Sequence, residues 1–231
     1  MYRNLKHIKR LAKQGDADAQ LYLAGLYIEG QIGRPSGIAV SEPDFKQGCY
    51  WLKKAANAGH PEAQNSLGVR FNRGEGVERN HATACEWFRL AADNGSVSAL
   101  TNLAMNIERG MGAPQDTVLA ISHYRQTADK DDPLAQYRLG ELYYAGVGVS
   151  QSYSAALEWY LEAAASNFPP AQAMLGHLHA NGFGVEKDLV RAYLWTKRAV
   201  EQGYSDATAL LDEISRAMTD DDLKAAKDID L

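Results

Sequence analysis

The sequence predicts an all-α fold, a right-handed α/α superhelix (solenoid) of five stacked helix-turn-helix repeats with capping helices. Three observations predict it. One motif of small, leucine and aromatic residues returns every 36 residues, paired glycines follow it at a fixed place, and a second helical motif centred on tryptophan recurs in phase behind them. A periodicity of this length over nearly the whole chain marks repeats that stack on one another.

The first half of each repeat places alanine at Ala19, Ala63, Ala99, Ala135, Ala171 and Ala207, and leucine four residues later at Leu23, Leu67, Leu103, Leu139, Leu175 and Leu211. Next come Ala24, Gly68, Ala104, Gly140, Gly176 and Asp212, and three residues on Tyr27, Phe71, Ile107, Tyr143 and His179. Steps of four, one and three residues put these side chains on one stripe of a helix, with small residues where another backbone approaches. This is helix A. The glycine pairs Gly74/Gly76, Gly110/Gly112, Gly146/Gly148 and Gly182/Gly184 suit a left-handed stop and a turn.

Helix B starts at Asp44, Asn80, Asp116, Ser152 and Asp188, side chains that cap the free amides of a first turn. Its buried face is read as Gly48, Ala84, Ala120, Ala156 and Ala192, then Trp51, Trp87, His123, Trp159 and Trp195, then Ala55, Ala91, Thr127, Ala163 and Ala199. The repeats are 15–58, 59–94, 95–130, 131–166 and 167–202, in one domain over 1–231. The first repeat carries extra residues in a Gly/Pro-punctuated loop around 31–43. Residues 1–14 resemble the end of a helix B, with Ile8, Leu11 and Ala12 in register, and form an N-terminal cap. Residues 203–231 form the other cap: a helix A without the glycine turn, then a short helix opening at Thr219-Asp220-Asp221-Asp222.

These motifs resemble the Sel1-like repeats, relatives of tetratricopeptide repeats with a longer turn between the helices. The resemblance covers about residues 15–202. The third copy departs most, with Ile107, Ala113, His123 and Thr127 in the signature positions. The resemblance implies a scaffold that holds proteins or peptides, and no reaction.

Composition agrees with a soluble globular chain: 231 residues, 45% hydrophobic and 23% charged. The formal charge of −5 has the wrong sign for a general nucleic-acid binder. No apolar run approaches the ~18 residues of a bilayer span, and the first residues lead into charge, so a cytoplasmic location is expected. Each Gly-x-Gly follows a helix and lacks the third glycine and the strand of a dinucleotide site. No Gly-x-Ser-x-Gly elbow, Walker loop or His-Glu-x-x-His pair occurs. His177 and His179 are two apart on helix A and diverge, and His123 and His179 stand in core aromatic slots as packed rings. Cys49 and Cys85 share the slot of Ile121, Leu157 and Tyr193, an apolar position. Equivalent positions of stacked helices lie about 8–10 Å apart, beyond the ~7 Å reach of a disulfide, so two free thiols are expected.

Binding surfaces of solenoids form on the concave side lined by A helices. Carried over by the tetratricopeptide register, the groove positions are Asn65, Val69, Asn72 and Arg73 in the second repeat and Thr101, Met105, Glu108 and Arg109 in the third. The fourth and fifth add Tyr137, Glu141, Tyr144, His177 and Asn181. This mixture hydrogen-bonds an extended backbone or clamps a carboxylate, and suits a polypeptide better than a phosphate chain. Ile32, Ile38 and Val40 of the first repeat's insertion offer a second, smaller apolar edge. The expected function is a protein-interaction adaptor binding a protein or peptide, with no cofactor, metal, nucleic acid or membrane insertion. The alternatives are a regulatory or immunity-type inhibitor of an enzyme or toxin, and a hydrolase built on the solenoid.

Overall fold

The computed structural model describes residues 5–31 and 42–228. Ile32, Ile38 and Val40 lie outside them. Thirteen α-helices and no strand occur among the described residues. The A helices are α2 (Ala17–Ile28), α4 (Pro61–Arg73), α6 (Val97–Arg109), α8 (Pro133–Ala145), α10 (Pro169–Asn181) and α12 (Thr208–Ala217). The B helices are α3 (Phe45–Asn57), α5 (His81–Asp93), α7 (Thr117–Ala128), α9 (Tyr153–Ala165) and α11 (Leu189–Glu201). Helix α1 (Leu5–Lys13) precedes them and α13 (Asp220–Asp228) follows. The chain divides into two compact units, Met1–Ala120 and Ile121–Leu231, with the boundary inside α7.

Local chemistry sets each boundary. The five expected caps all accept a backbone N–H of their own first turn: Asp44 from Gln47, Asn80 from Thr83, Asp116 from Leu119, Ser152 from Ala155 and Asp188 from Arg191. Helices α4, α6, α8 and α10 stop at Gly74, Gly110, Gly146 and Gly182, each left-handed with φ of 74, 67, 71 and 71°. Helix α13 opens with a reciprocal box, in which Asp222 N–H donates to Thr219 Oγ1 and Thr219 N–H donates to Asp222 Oδ2.

In the first unit Leu23, Leu67 and Leu103 are buried with their flanking alanines, as the stripe requires. The tryptophan slot differs from expectation. Trp87, like Trp159 and Trp195 in the second unit, is only half-buried, whereas Trp51 is buried in the core as expected. The deepest B-helix side chain is one residue further on: Leu52 and Phe88 in the first unit, Tyr124, Tyr160 and Thr196 in the second. That position overlies the small residue of helix A. A Cβ on Gly68 would lie 2.6 Å from the Phe88 ring, and one on Gly140 2.5 Å from the Tyr160 ring.

The turns are pinned to the B helix before them. The Cys49 thiol donates to the Glu75 carbonyl at 3.2 Å and the Cys85 thiol to the Met111 carbonyl at 3.3 Å, each between the two glycines of a pair. Both cysteines are buried free thiols. The slot is thus apolar in burial but used as a donor, which an isoleucine or leucine there cannot be. Burial, opposed in part by the Arg70 charge, pushes the Cys49 thiol up, away from a reactive thiolate.

A buried glutamine joins successive helices. Gln20, Gln64 and Gln136 donate to the carbonyls of Ala12, Ala56 and Ala128 at 2.9, 3.0 and 3.4 Å. The other amide atom needs a partner too. Gln64 Oε1 accepts from Asn94, whereas Gln20 Oε1 and Gln136 Oε1 have none among the described residues. The positions matching Asn94 are Ala58 and Ser166, and all three share one helix-end conformation, with φ of −79, −86 and −84° at Ala58, Asn94 and Ser166. Ala58→Asn and Ser166→Asn are therefore expected to stabilise the chain by about 1 kcal/mol each, seen as a rise of roughly 2–4 °C in thermal melts. Melts unchanged in both would show that these glutamines gain nothing from a second donor.

Candidate functional site

The A-helix face is described separately in each unit. In the first unit two of the expected groove residues, Asn65 and Asn72, are tied to asparagines of the next A helix that the register did not single out. Asn102 Nδ2 donates to Asn65 Oδ1 at 2.9 Å. Asn72 and Asn106 exchange amide hydrogen bonds at 2.9 and 3.0 Å, and Asn72 Oδ1 also meets His81 Nδ1 at 3.0 Å. Asn106 is buried and donates to the Cys85 sulfur at 3.3 Å. Asn65 and Asn72 thus spend much of their hydrogen-bonding capacity inside the protein. Arg73 and Arg109 are exposed, with Arg73 3.9 Å from Glu75, while Val69, Met105 and Glu108 are half-buried.

Thr101 is a correction. It is fully buried and cannot touch a partner. Its register position, shared by Asn65, Tyr137 and Ala173, is half-buried or buried in every copy, so it turns into the protein instead of outward. The positions four and eight residues later stay accessible: Val69, Met105, Glu141 and His177 in part, and Arg73, Arg109 and Asn181 fully.

The second unit gathers aromatic groups. Tyr144 Oη and His177 Nε2 are 3.0 Å apart, and Asn181 Nδ2 donates to the His177 carbonyl at 2.9 Å. Around this pair stand Tyr153, the first residue of α9, and Phe183, between the glycines of its turn. Their rings stack at 4.8 Å and 14°. Tyr144 lies 5.2 Å from Tyr153 and 5.9 Å from His177, and all four rings are half-exposed. Beside them, Tyr137 packs on Tyr160 and Phe168 at 5.7 and 5.5 Å and donates to Glu141 at 3.0 Å. Arg138 pairs with the same carboxylate. Burial, then the Glu141 charge and hydrogen bond, push the Tyr137 phenol far up, so it stays a donor.

Sequence reasoning missed Asn102, Asn106, His81, Arg138, Tyr153 and Phe183. The signal for Tyr153 and Phe183 lay in two variable slots, the residue after the helix B cap and the residue between the paired glycines. They hold Phe45, His81, Thr117, Tyr153 and Leu189, and Glu75, Met111, Val147 and Phe183. Only one copy puts an aromatic in both slots in contact.

Two other histidines serve the fold. His60 caps α4 through Ala63 N–H and meets Asp18 at 3.0 Å, and His179 is buried, with its imidazole pushed down by desolvation. Among the described residues no group of three or more His, Cys, Asp or Glu side chains is placed to hold a metal, and no helix is long and apolar enough to cross a membrane.

Comparison with known proteins agrees with this architecture. The Sel1 repeat family model matches five successive stretches, 17–60, 61–96, 97–132, 133–168 and 169–204. A solved Sel1 repeat protein from Oxalobacter formigenes is 28% identical with a TM-score of 0.76, over 91% of this chain and 89% of that one. A protective antigen of uropathogenic Escherichia coli strains, with the same fold, is 29% identical with a TM-score of 0.75 over 92% of this chain. This chain spans only 44% of its length. An immunity protein from Pseudomonas aeruginosa, 21% identical with a TM-score of 0.58 over 83% of this chain and 67% of that one, shares the fold. No curated protein sequence matches the chain. With five in-phase family matches lying on five observed helix pairs, this chain belongs to the Sel1 repeat family.

Proposed function

We propose that the protein is a binding scaffold that captures a protein or peptide partner on the face of its A helices and performs no chemistry on it. Repeats of this family generally mediate protein–protein interaction. The observation that carries the reading is the half-exposed group of Tyr144, Tyr153, His177 and Phe183, fixed by its own ring contacts and by the Tyr144–His177 hydrogen bond. Aromatic side chains already held in place bury much area on binding and lose little conformational freedom, which is how a few residues dominate an interface. Asn181 and Glu141 at its border supply polar groups that can pair with a peptide backbone.

The test is affinity capture of the natural partner followed by titration with variants of the full chain. Tyr144→Ala and His177→Ala are each expected to weaken binding by about 30-fold or more, equal to ~2 kcal/mol at a hot spot. Arg109→Ala should have a smaller effect, and Thr101→Ser none. Full affinity in both aromatic variants, with binding abolished by deletion of residues 31–38, would place the partner elsewhere.

A further inference from the structure

Helix α1 carries a feature that the A-helix face does not use. Its apolar residues Ile8 and Ala12 are buried, and Leu5 and Leu11 pack on the same core. The rest of the helix is cationic. Lys6, Lys9, Arg10 and Lys13, spaced i, i+3, i+4 and i+7, form one stripe, and with Gln14 they line a shallow depression of about 430 Å³. Residues 1–15 contain five Lys or Arg and no carboxylate. The next two acids are engaged elsewhere: Asp16 caps α2 through Ala19 N–H, and Asp18 meets His60. Among the described residues no carboxylate pairs with Lys9, Arg10 or Lys13, and the Arg10 guanidinium lies 3.2 Å from His7 Nδ1.

This arrangement opposes the stability of α1. Cations near the C-terminal end of a helix complement its dipole, which accounts for Arg10 and Lys13. It does not account for the like-charge neighbours Lys9 and Lys13 at i, i+4 and Arg10 and Lys13 at i, i+3. A single-sign stripe that weakens its own helix gains a reason if an anionic partner neutralises it.

We infer that the outward stripe of α1 is a docking site for an acidic polypeptide segment, separate from the A-helix face. Charge complementarity chooses the sign, since cation clusters recognise acidic motifs by paired hydrogen bonds and steer their approach. The recess chooses a protruding chain over a flat surface. An anionic bilayer is disfavoured because the apolar face of α1 is already packed against the core, leaving nothing to insert. A nucleic acid is disfavoured by the chain's net charge of −5.

Fluorescence anisotropy of the full chain with a labelled peptide of alternating Glu and Ala tests this. Binding is expected in ~20 mM salt and should fall at least tenfold in ~300 mM salt, because the pairs lie at the surface. The triple variant Lys9→Gln/Arg10→Gln/Lys13→Gln should lose at least tenfold, while its far-ultraviolet circular dichroism matches the parent's. A control that removes as much charge elsewhere, Lys46→Gln/Lys53→Gln/Arg89→Gln, should bind as the parent does. The inference is overturned if the α1 variant binds as tightly as the parent, if the control loses as much, or if the peptide fails to bind in low salt. Preference for phosphatidylserine vesicles or a single-stranded oligonucleotide over the peptide also overturns it. None of these results bears on Tyr144 or His177, so the A-helix reading stands or falls separately.

Discussion

Gly112→Ala is expected to destabilise the first unit by about 3 kcal/mol or more, which in urea denaturation lowers the midpoint well outside error. Gly112 has φ of +75°, and a Cβ there would lie 2.2 Å from both the carbonyl carbon and oxygen of His81 and 2.5 Å from Ala82 N. These are backbone atoms at the start of α5 and cannot swing aside. The turn must lift away, and the bond from the Cys85 thiol to Met111 O is lost with it. Part of any such effect is the left-handed backbone itself, about 1–2 kcal/mol for a residue with a Cβ. Gly95→Ala isolates that part, because Gly95 has φ of +91° but nothing within 4 Å of the methyl that alanine would add. The difference between the two variants measures the close approach of turn to helix. Equal losses would show that the contact does not hold the repeats together.

The pairing of Gly68 with Phe88 gives the second large effect, and it is non-additive. A methyl on Gly68 meets ring carbons at 2.6 and 2.7 Å, so Gly68→Ala should cost about 1–3 kcal/mol through overpacking. Phe88→Leu leaves a void and should cost a similar amount. The first repeat already contains the combination of both changes: Ala24 on helix A with the buried Leu52 on helix B. The double variant Gly68→Ala/Phe88→Leu is therefore expected to be more stable than the sum of the single losses predicts, by about 1 kcal/mol or more in a double-mutant cycle. Strict additivity would mean that the ring and the small residue do not share one space.

The same pair shows what was legible in the sequence. The alanine–leucine stripe, the glycine turns and the helix caps recur with little change because each obeys a strict local rule, so repeats and boundaries follow from spacing alone. The deepest B-helix slot escaped notice because Leu52, Phe88, Tyr124, Tyr160 and Thr196 have no common chemistry; each is matched to what lies opposite, which only packing reveals. The tryptophan beside it, conspicuous in sequence, is mostly a flank residue. The candidate site was legible in part. Tyr144, His177 and Asn181 came from register, but the rings of Tyr153 and Phe183 come from a different helix and from a turn, and sequence spacing does not bring them together. Thr101 failed because the borrowed register assumed an open face at a position that this chain buries.

The claim that a partner is held on the A-helix face is tested most directly by a photocrosslinking amino acid placed in the full chain at exposed positions of each kind of helix. Arg109 and Asn181 report on A helices, and Leu90 and Leu161 on the outer side of B helices. The expected result is a discrete crosslinked product, of the same partner, from Arg109 or Asn181 and none from Leu90 or Leu161. Crosslinks to that partner from Leu90 and Leu161 alone would contradict the claim.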